Sequence, residues 1–482
     1  MTNERFDVVV VGSGAGGGVV AGELADRGRK VLLLELGPYK TAADFTRWEA
    51  KAAHDLWWPI RFALIDGGAG GAVGLVAGRC VGGSTTINTK VALRAHAKDY
   101  AKWHAASGIV GSGGVPFGAS DLDPYYDRVE QRLGVRERND WPKSVYTVEP
   151  GFRALGSELE SVRSYTDSTC MKCGSCLQGC PTNSGKSTQN TYIQDAWAAG
   201  RLEVRADSRV ERVVIEGGEA TGVEYVGPDG ALRRVDAGAV VVAAGTLNTP
   251  QLLMRSGLPD SPSSRLVGRN LGFHPARLVY GLFDEPQDAH MVYPITTHAM
   301  DHQHDEDGGF VVEATTMQDP IGFATTLENE DGPLWGQPLV DALRGFRRWV
   351  GLLAMTNDDN NGSVHLDENG VESFEAAFTP AEHARMSGAL DFSRDALRAA
   401  GATDVLWTGL ITTHVQGTCR MGSDPERSVV DADGQSWDVE RLYVGDGSLV
   451  PRTLSVNPSL TIMALASRLA EHLDGDPHGY LS

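Results

Sequence analysis

Four cysteines stand at Cys170-x-x-Cys173-x-x-Cys176-x-x-x-Cys180, followed by Pro181. Thiolates at these gaps can reach different corners of one iron–sulfur cube. The centre would be [4Fe–4S] if Cys180 folds back, or [3Fe–4S] on three thiolates. Zinc takes the same ligands, and a knot of reduced thiols needs no metal, so spacing alone leaves the choice open. A second pattern is Gly12-x-Gly14-x-x-Gly17, with Glu35 about twenty residues beyond it. Gly12 permits a tight turn, Gly14 a close approach of pyrophosphate, and Gly17 helix–strand packing. Glu35 is placed to accept from ribose hydroxyls. This fingerprint does not separate FAD from NAD. A third group is His290, His298, His302 and His304 beside Asp301, Asp305, Glu306 and Asp307. It fits no tight metal template and reads as a mobile polar loop over a substrate site.

The elements around these residues are partly readable. Phe6–Val11 is a buried apolar run, Val19–Arg27 is helical up to Gly28, and Val31–Leu34 is a second strand. The turn that carries the three glycines therefore joins a strand to a helix, which is the context the motif requires. An irregular stretch is expected from Gly37 to about Gly78, and a helix over Asp121–Leu133. Val210–Ile215, Thr221–Val226 and Leu232–Val235 alternate between glycines and read as an antiparallel meander. Val240–Ala243 is a further buried strand that leads to a helix over Pro250–Ser256. From Phe273 to His414 the periods are weak, and the segment is assigned to a second domain. Strand Leu442–Val444 and helix Pro458–Leu473 close the chain.

The 482 residues exceed one ordinary domain, and 41% hydrophobic content can fill a large core. With 63 acidic against 43 basic residues the charge is −20, which excludes a nucleic-acid-binding surface. No apolar run has the length of a membrane span, and no secretory signal is read at the N-terminus. The expected location is cytoplasmic.

Three further segments carry a resemblance. They are Gly78-Arg79-Cys80-Val81-Gly82-Gly83-Ser84-Thr85-Thr86-Ile87-Asn88, Gly245-Thr246-Leu247-Asn248-Thr249-Pro250-Gln251, and Gly445-Asp446-Gly447-Ser448 with Asn457-Pro458. Together with the glycine loop they resemble the glucose–methanol–choline (GMC) family of FAD-dependent oxidoreductases. The likeness is dense over 5–100, 240–275 and 405–472 and weak over 276–404. It implies that Gly83 and Ser84 pass close to the flavin ring and that Asn88 lies at its reactive edge. It also implies that Val210 offers backbone to adenine and that Asp446 faces the ribityl–pyrophosphate region. Asn457 and Pro458 would then form an N-cap and first turn that aim a helix at the flavin. Some relatives tether the flavin to a histidine where this chain has Ile87, so non-covalent FAD is expected.

The segment Thr412-Thr413-His414-Val415-Gln416-Gly417-Thr418-Cys419 resembles the one that holds the family's active-site histidine. His414 is expected to take the hydroxyl proton of an alcohol, and Asn457 to orient the alkoxide. His274 is read as structural, closing a loop near the flavin. Cys80 and Cys419 are read as buried family positions. The cysteine run has the spacing of a bacterial ferredoxin, and its Cys176–Pro181 end resembles the cluster segment of flavin-dependent glucose dehydrogenase catalytic subunits.

The expectation is an α/β protein with a discontinuous Rossmann-like FAD domain (1–164, 196–272 and 415–482). A cysteine-rich segment (165–195) and a second, α+β substrate domain on an antiparallel sheet (273–414) complete it. It would oxidise an alcohol or sugar hydroxyl and pass electrons through the iron–sulfur cluster to a protein or quinone acceptor. An oxygen-using alcohol oxidase with a structural cysteine segment, a non-redox family member and an electron-transfer flavoprotein are the alternatives.

Overall fold

The computed structural model describes residues 4–481. Two sheets make up most of it. The first runs in the order Leu202–Arg205, Val31–Leu34, Arg5–Val11, Leu232–Val242, Glu219–Val226, Arg209–Glu216. Leu442–Val444 also pairs with Leu232–Val242, in parallel. Helix Ala15–Asp26 follows the first strand and packs on helix Ser459–Asp474, which in turn packs on helix Ala119–Leu133. Val8, Val9 and Val10 are fully buried, as parallel strands covered on both faces require.

One strand differs from the sequence expectation in an instructive way. Leu232–Val235 and Val240–Ala243 are not separate strands but parts of Leu232–Val242. Its first half pairs antiparallel with Glu219–Val226, and its second half pairs parallel with Arg5–Val11. The meander and the nucleotide sheet are therefore one continuous sheet.

The second sheet has fourteen strands among the described residues. Ala276–Leu282, Trp349–Thr356, Phe310–Ala314 and Thr297–Ala299 are consecutive antiparallel neighbours at its centre. Arg61–Ile65 and Ala72–Leu75 also join this sheet. Together with helix Glu49–Leu56 they replace the irregular stretch expected between Gly37 and Gly78. Helices Lys143–Ala154 and Pro380–Ala399 cover one face, where Phe310, Val312, Ala314, Val350, Leu352 and Ala354 pack against Val148, Phe152, Ala396 and Leu397. Strand alternation sends the intervening residues, Val311 and Glu313 among them, to the opposite face. The long helix begins with a reciprocal cap: Thr379 Oγ1 accepts from Glu382 N–H, and the Glu382 carboxylate accepts from Thr379 N–H. No helix of the described residues is long and apolar enough to cross a membrane.

Candidate active site

The glycine loop is built by collision. A Cβ on Gly12, whose φ is +96°, would strike the Ala243 carbonyl. On Gly16 it would strike Gly445 O, and on Gly17 the Gly12 carbonyl. The loop is thus clamped between strand Leu232–Val242 and the C-terminal loop. At Gly14 there is nothing within 4 Å, so the one glycine expected to meet pyrophosphate opens onto free space. Glu35 is buried, and burial raises its pKa against its hydrogen bonds. It accepts from Ser13 N–H (3.0 Å), Ser13 Oγ (2.6 Å) and Gly37 N–H (2.8 Å), and so holds the loop's shape. The short turn Gly83–Thr85 lies on the same loop: Gly82 N–H donates to Ser13 Oγ at 2.9 Å, and a Cβ on Gly83 would meet Gly14 Cα. Ser84 Oγ accepts from Gly78 N–H at 3.0 Å. Asn88 Oδ1 accepts from Tyr165 Oη at 2.8 Å, and that hydroxyl also lies 3.3 Å from Ser459 Oγ in the first turn of the last helix. Val210 stands in the meander, buried, opposite Tyr225.

Asp446 fastens three segments. Its carboxylate accepts from Gly245 N–H (2.8 Å), Thr249 Oγ1 (2.5 Å) and Ser448 N–H (2.8 Å). Gly447 and Ser448 accept from Gly417 and Cys419 N–H groups, which brings the His414 segment alongside the loop that touches Gly16. Asn457 is not the N-cap the sequence suggested. Pro458 holds that place, helix Ser459–Asp474 follows, and Asn457 Oδ1 is buried with no hydrogen-bond partner among the described residues. The rest of its side chain lies against the Glu313 carboxyl. Ser448 Oγ and His274 Nε2 are likewise buried and unpartnered. Open space over Gly14 and these unsatisfied polar atoms are what an FAD-binding cradle provides.

His414 and His274 form a pair, with Nδ1 atoms 3.2 Å apart. Thr412 Oγ1 accepts from His414 N–H at 3.0 Å, and His414 O accepts from Gln416 Nε2 at 3.0 Å. His274 sits at φ +46°, a left-handed conformation held by Asp358, whose carboxylate accepts from Phe273 N–H (2.8 Å) and His274 N–H (3.1 Å). Burial pulls the His414 pKa down to about 4. It lowers His274 too, with the neighbouring imidazole adding to the effect. Both rings are neutral at pH 7, so one Nδ1 donates and the other accepts. Sequence reasoning gave His274 a structural role; its contact with His414 is the signal missed.

Glu313 is a second residue that sequence reasoning missed. It is 1% exposed, on the face of the second sheet opposite the two helices, with the Asn457 side chain beside its carboxyl. Burial pushes its pKa up to about 8, and only the Asn457 side chain works against that shift. Of the expected histidine loop, only His298 reaches this face: it stands opposite Glu313 in the ladder. His302 stacks on Phe310 at 4.7 Å, His304 lies on His96, and His290 lies on Phe346. Ion pairs Lys98–Glu306 and Lys102–Asp305 tie the acidic stretch to helix Ala97–Ser107.

The four cysteines of the run lie close enough for the other three thiols to act on Cys176, yet they do not form the metal site that spacing suggested. All six in the chain are free, with Cys80 and Cys419 buried as expected. Among the described residues no group of three or more His, Cys, Asp or Glu is arranged to hold a metal ion. A local hydrogen-bonded loop takes up Cys180: its sulfur accepts from Gly185 N–H at 3.2 Å and lies 3.5 Å from the Thr182 and Ser184 hydroxyls. Burial raises the Cys180 pKa, but these hydrogen bonds outweigh it and the net shift is downward. Cys176 is pushed up to about 12 by burial, with Lys90 pulling the other way and the other three thiols adding to the rise. The expected iron–sulfur and metal-binding assignment thus has no support in this geometry.

A glycine turn between strand and helix with open space over Gly14, and a histidine pair beside a second sheet, suit an FAD-dependent oxidoreductase. Comparison with known proteins agrees. Two family models, both described as GMC oxidoreductase, match residues 6–276 and 339–466. The chain belongs to the GMC oxidoreductase family. It is similar to a long-chain-alcohol oxidase of Arabidopsis thaliana, 29% identical over 96% of this chain and 66% of that one. It is also similar to a 2-methyl-1,2-propanediol dehydrogenase of Mycolicibacterium austroafricanum, 28% identical over 98% and 95%. Among solved structures, pyridoxine 4-oxidase from Mesorbium loti superimposes with a TM-score of 0.73 at 22% identity, over 97% of this chain and 99% of that one.

Proposed function

We propose that the protein oxidises the hydroxyl of an alcohol or sugar to a carbonyl on a non-covalent FAD. The observation that carries this reading is the neutral imidazole pair, His414 Nδ1 to His274 Nδ1 at 3.2 Å. When the shared proton sits on His414 Nδ1 and is donated to His274, His414 Nε2 is left with its lone pair. That atom takes the hydroxyl proton. Asn457, with its Oδ1 uncommitted, orients the substrate oxygen. The bound flavin supplies the acceptor for the hydride that leaves the carbinol carbon. Gly12, Gly14, Gly17 and Glu35 hold the nucleotide end, with Val210 toward adenine. Asp446 shapes the pyrophosphate side, Gly83, Ser84 and Asn88 the flavin edge, and Pro458 starts the helix aimed at it. Mixed anaerobically with an alcohol substrate, the holoenzyme should lose its flavin absorbance. A panel of primary alcohols, diols and sugars that leaves it unchanged overturns the reading. Acid precipitation should leave FAD in the supernatant, because Ile87 offers no tether.

The electrons then pass to oxygen or to a protein or quinone acceptor. The related oxidase and dehydrogenase differ on this point. A second reading rests on the C-x2-C-x2-C-x3-C-P spacing alone and places an iron–sulfur cluster on Cys170, Cys173, Cys176 and Cys180 as a relay. About three or four irons per FAD, with matching sulfide, in anaerobically purified protein would support it. Zinc or no metal would leave a thiol loop and favour the oxidase.

A further inference from the structure

We propose that Gln416 is a positioning residue of the active site, the clamp that sets His414, His274 and Asn457 in register with one another. This inference rests on the alcohol-oxidising reading. The three residues belong to segments far apart in the chain, and Gln416 touches all of those segments. Its backbone pairs with Gly272 in both directions: Gln416 N–H donates to Gly272 O at 3.0 Å, and Gly272 N–H donates to Gln416 O at 2.8 Å. Gly272 lies just ahead of His274. The Gln416 side chain turns back along its own segment, where Nε2 donates to the His414 carbonyl at 3.0 Å. Its Oε1 accepts from Leu454 N–H at 3.4 Å, on the approach to Asn457. The residue is 0% exposed, so bulk water does not compete for either end of the amide.

The three segments meet without slack at this point. A Cβ on Gly272 would strike Thr453 Oγ1 and the Asn360 side chain. The backbone that leads to Asn457 hangs on side chains: Thr453 N–H donates to Asn360 Oδ1 (2.9 Å), Leu454 N–H to Gln416, and Ser455 N–H to Asp99 Oδ1 (3.0 Å). Of these three acceptors, Gln416 is the one whose side chain also holds the His414 carbonyl. An amide suits the task because one planar group both donates and accepts. An apolar side chain of the same length fills the volume but leaves a buried carbonyl and a buried N–H unpaired, which favours a shift of the segments. The His414 ring must reach the hydroxyl that Asn457 orients, and a misplacement of about 1 Å can cost about 10²-fold in rate.

The test is a double-mutant cycle on the holoenzyme, read as the limiting rate of anaerobic flavin reduction by the fastest member of the alcohol panel. Gln416→Met should keep FAD and lower that rate about 10–100-fold, with the half-saturating alcohol concentration little changed. In a His414→Ala background the same substitution should cost about twofold or less, because the alignment it disturbs no longer contains a base. An equal cost in both backgrounds overturns the proposal and makes Gln416 a packing residue. A rate within about twofold of wild type, or a loss confined to the half-saturating concentration, overturns it as well. Gln416→Asn stays polar but is one methylene too short to span from His414 to Leu454, and it should show the same pattern. Where Gln416→Met does not fold, the cycle is run on Gln416→Asn; if neither variant holds FAD, Gln416 maintains the fold and the proposal falls. If no alcohol bleaches the wild-type flavin, it is the alcohol-oxidising reading that fails, and the clamp is judged on the rings alone. The proton shared by His414 Nδ1 and His274 Nδ1, followed by proton NMR, should then shift or vanish in the variant. An unchanged resonance overturns the clamp too.

Discussion

The two halves of the molecule make their sites by different means. In the nucleotide half the working surface is backbone, and its shape is fixed by close contacts among Gly12, Gly16, Gly17, Ala243 and Gly445. On the second sheet the working surface is side chain. His274, Glu313, His298 and Asn457 are buried and each leaves a polar atom unsatisfied, while His414 is half-buried beside His274. The first design tolerates almost no change in shape. The second tolerates changes in chemistry without loss of the fold. Lesions in the first should therefore appear as lost protein or lost FAD, and lesions in the second as lost turnover with FAD in place.

The largest effect is expected at Gly16. Gly16→Ala drives a methyl into the Gly445 carbonyl and should leave little folded protein, read by circular dichroism and soluble yield. Gly14→Ala meets nothing within 4 Å and should fold and melt as the wild-type apoprotein does, yet bind FAD more weakly. Equal behaviour of the two would dissolve the contrast. On the second sheet, His414→Ala should retain FAD but reduce it about 10²–10⁴-fold more slowly, as loss of a positioned base does. A change of only a few-fold would remove His414 as the base. His274→Ala should cost less, about 10–100-fold in the rate of flavin reduction, because it withdraws only the partner that sets the tautomer. His274→Asn can accept at a similar point and should recover part of the loss; no recovery would assign His274 to packing.

The smallest effect is in stability. His414 has a folded-state pKa of about 4, below its unfolded value. The stability it contributes is complete above about pH 6.5 and is lost as the pH falls toward 4, because the unfolded chain takes the proton first. His414→Asn should therefore gain on the wild type by about 2 kcal/mol between pH 7.5 and pH 5. A gain toward alkaline pH would reverse the sign and sink the assignment.

The same contrast explains what could be read from the chain. The glycine loop is contiguous, so one strand, one turn and one helix announced it. The second sheet draws Arg61–Ile65, Arg269–Leu271 and Glu160–Ser161 to strands that begin far along the chain, at Glu372, Gly362 and Thr297, and no local period reports such neighbours. Helix Pro380–Ala399 was legible in principle, since Thr379-Pro380-Ala381-Glu382 is a capping pattern with a first-turn proline. Glu313 was not. A single acidic residue in Phe310–Ala314 looks like an exposed strand position until the ladder shows which face it occupies. The cysteine spacing is the opposite case: it is clear in sequence, but no metal-holding group forms among the described residues, and the Cys180 sulfur accepts from Gly185 N–H.

Strand Leu232–Val242 has one further consequence, for synthesis. Arg5–Val11 is made together with its neighbour Val31–Leu34, but its other partner, Leu232–Val242, comes more than two hundred residues later, and Leu442–Val444 later still. Helix Ser459–Asp474, which covers helix Ala15–Asp26, comes later still. At about 5–20 residues per second, the first strand and its glycine turn wait tens of seconds for the groups that bury them. The nucleotide cradle cannot close around FAD during that interval. Cofactor capture is therefore one of the last events in the protein's assembly, and a truncation that removes only the final helix should abolish it.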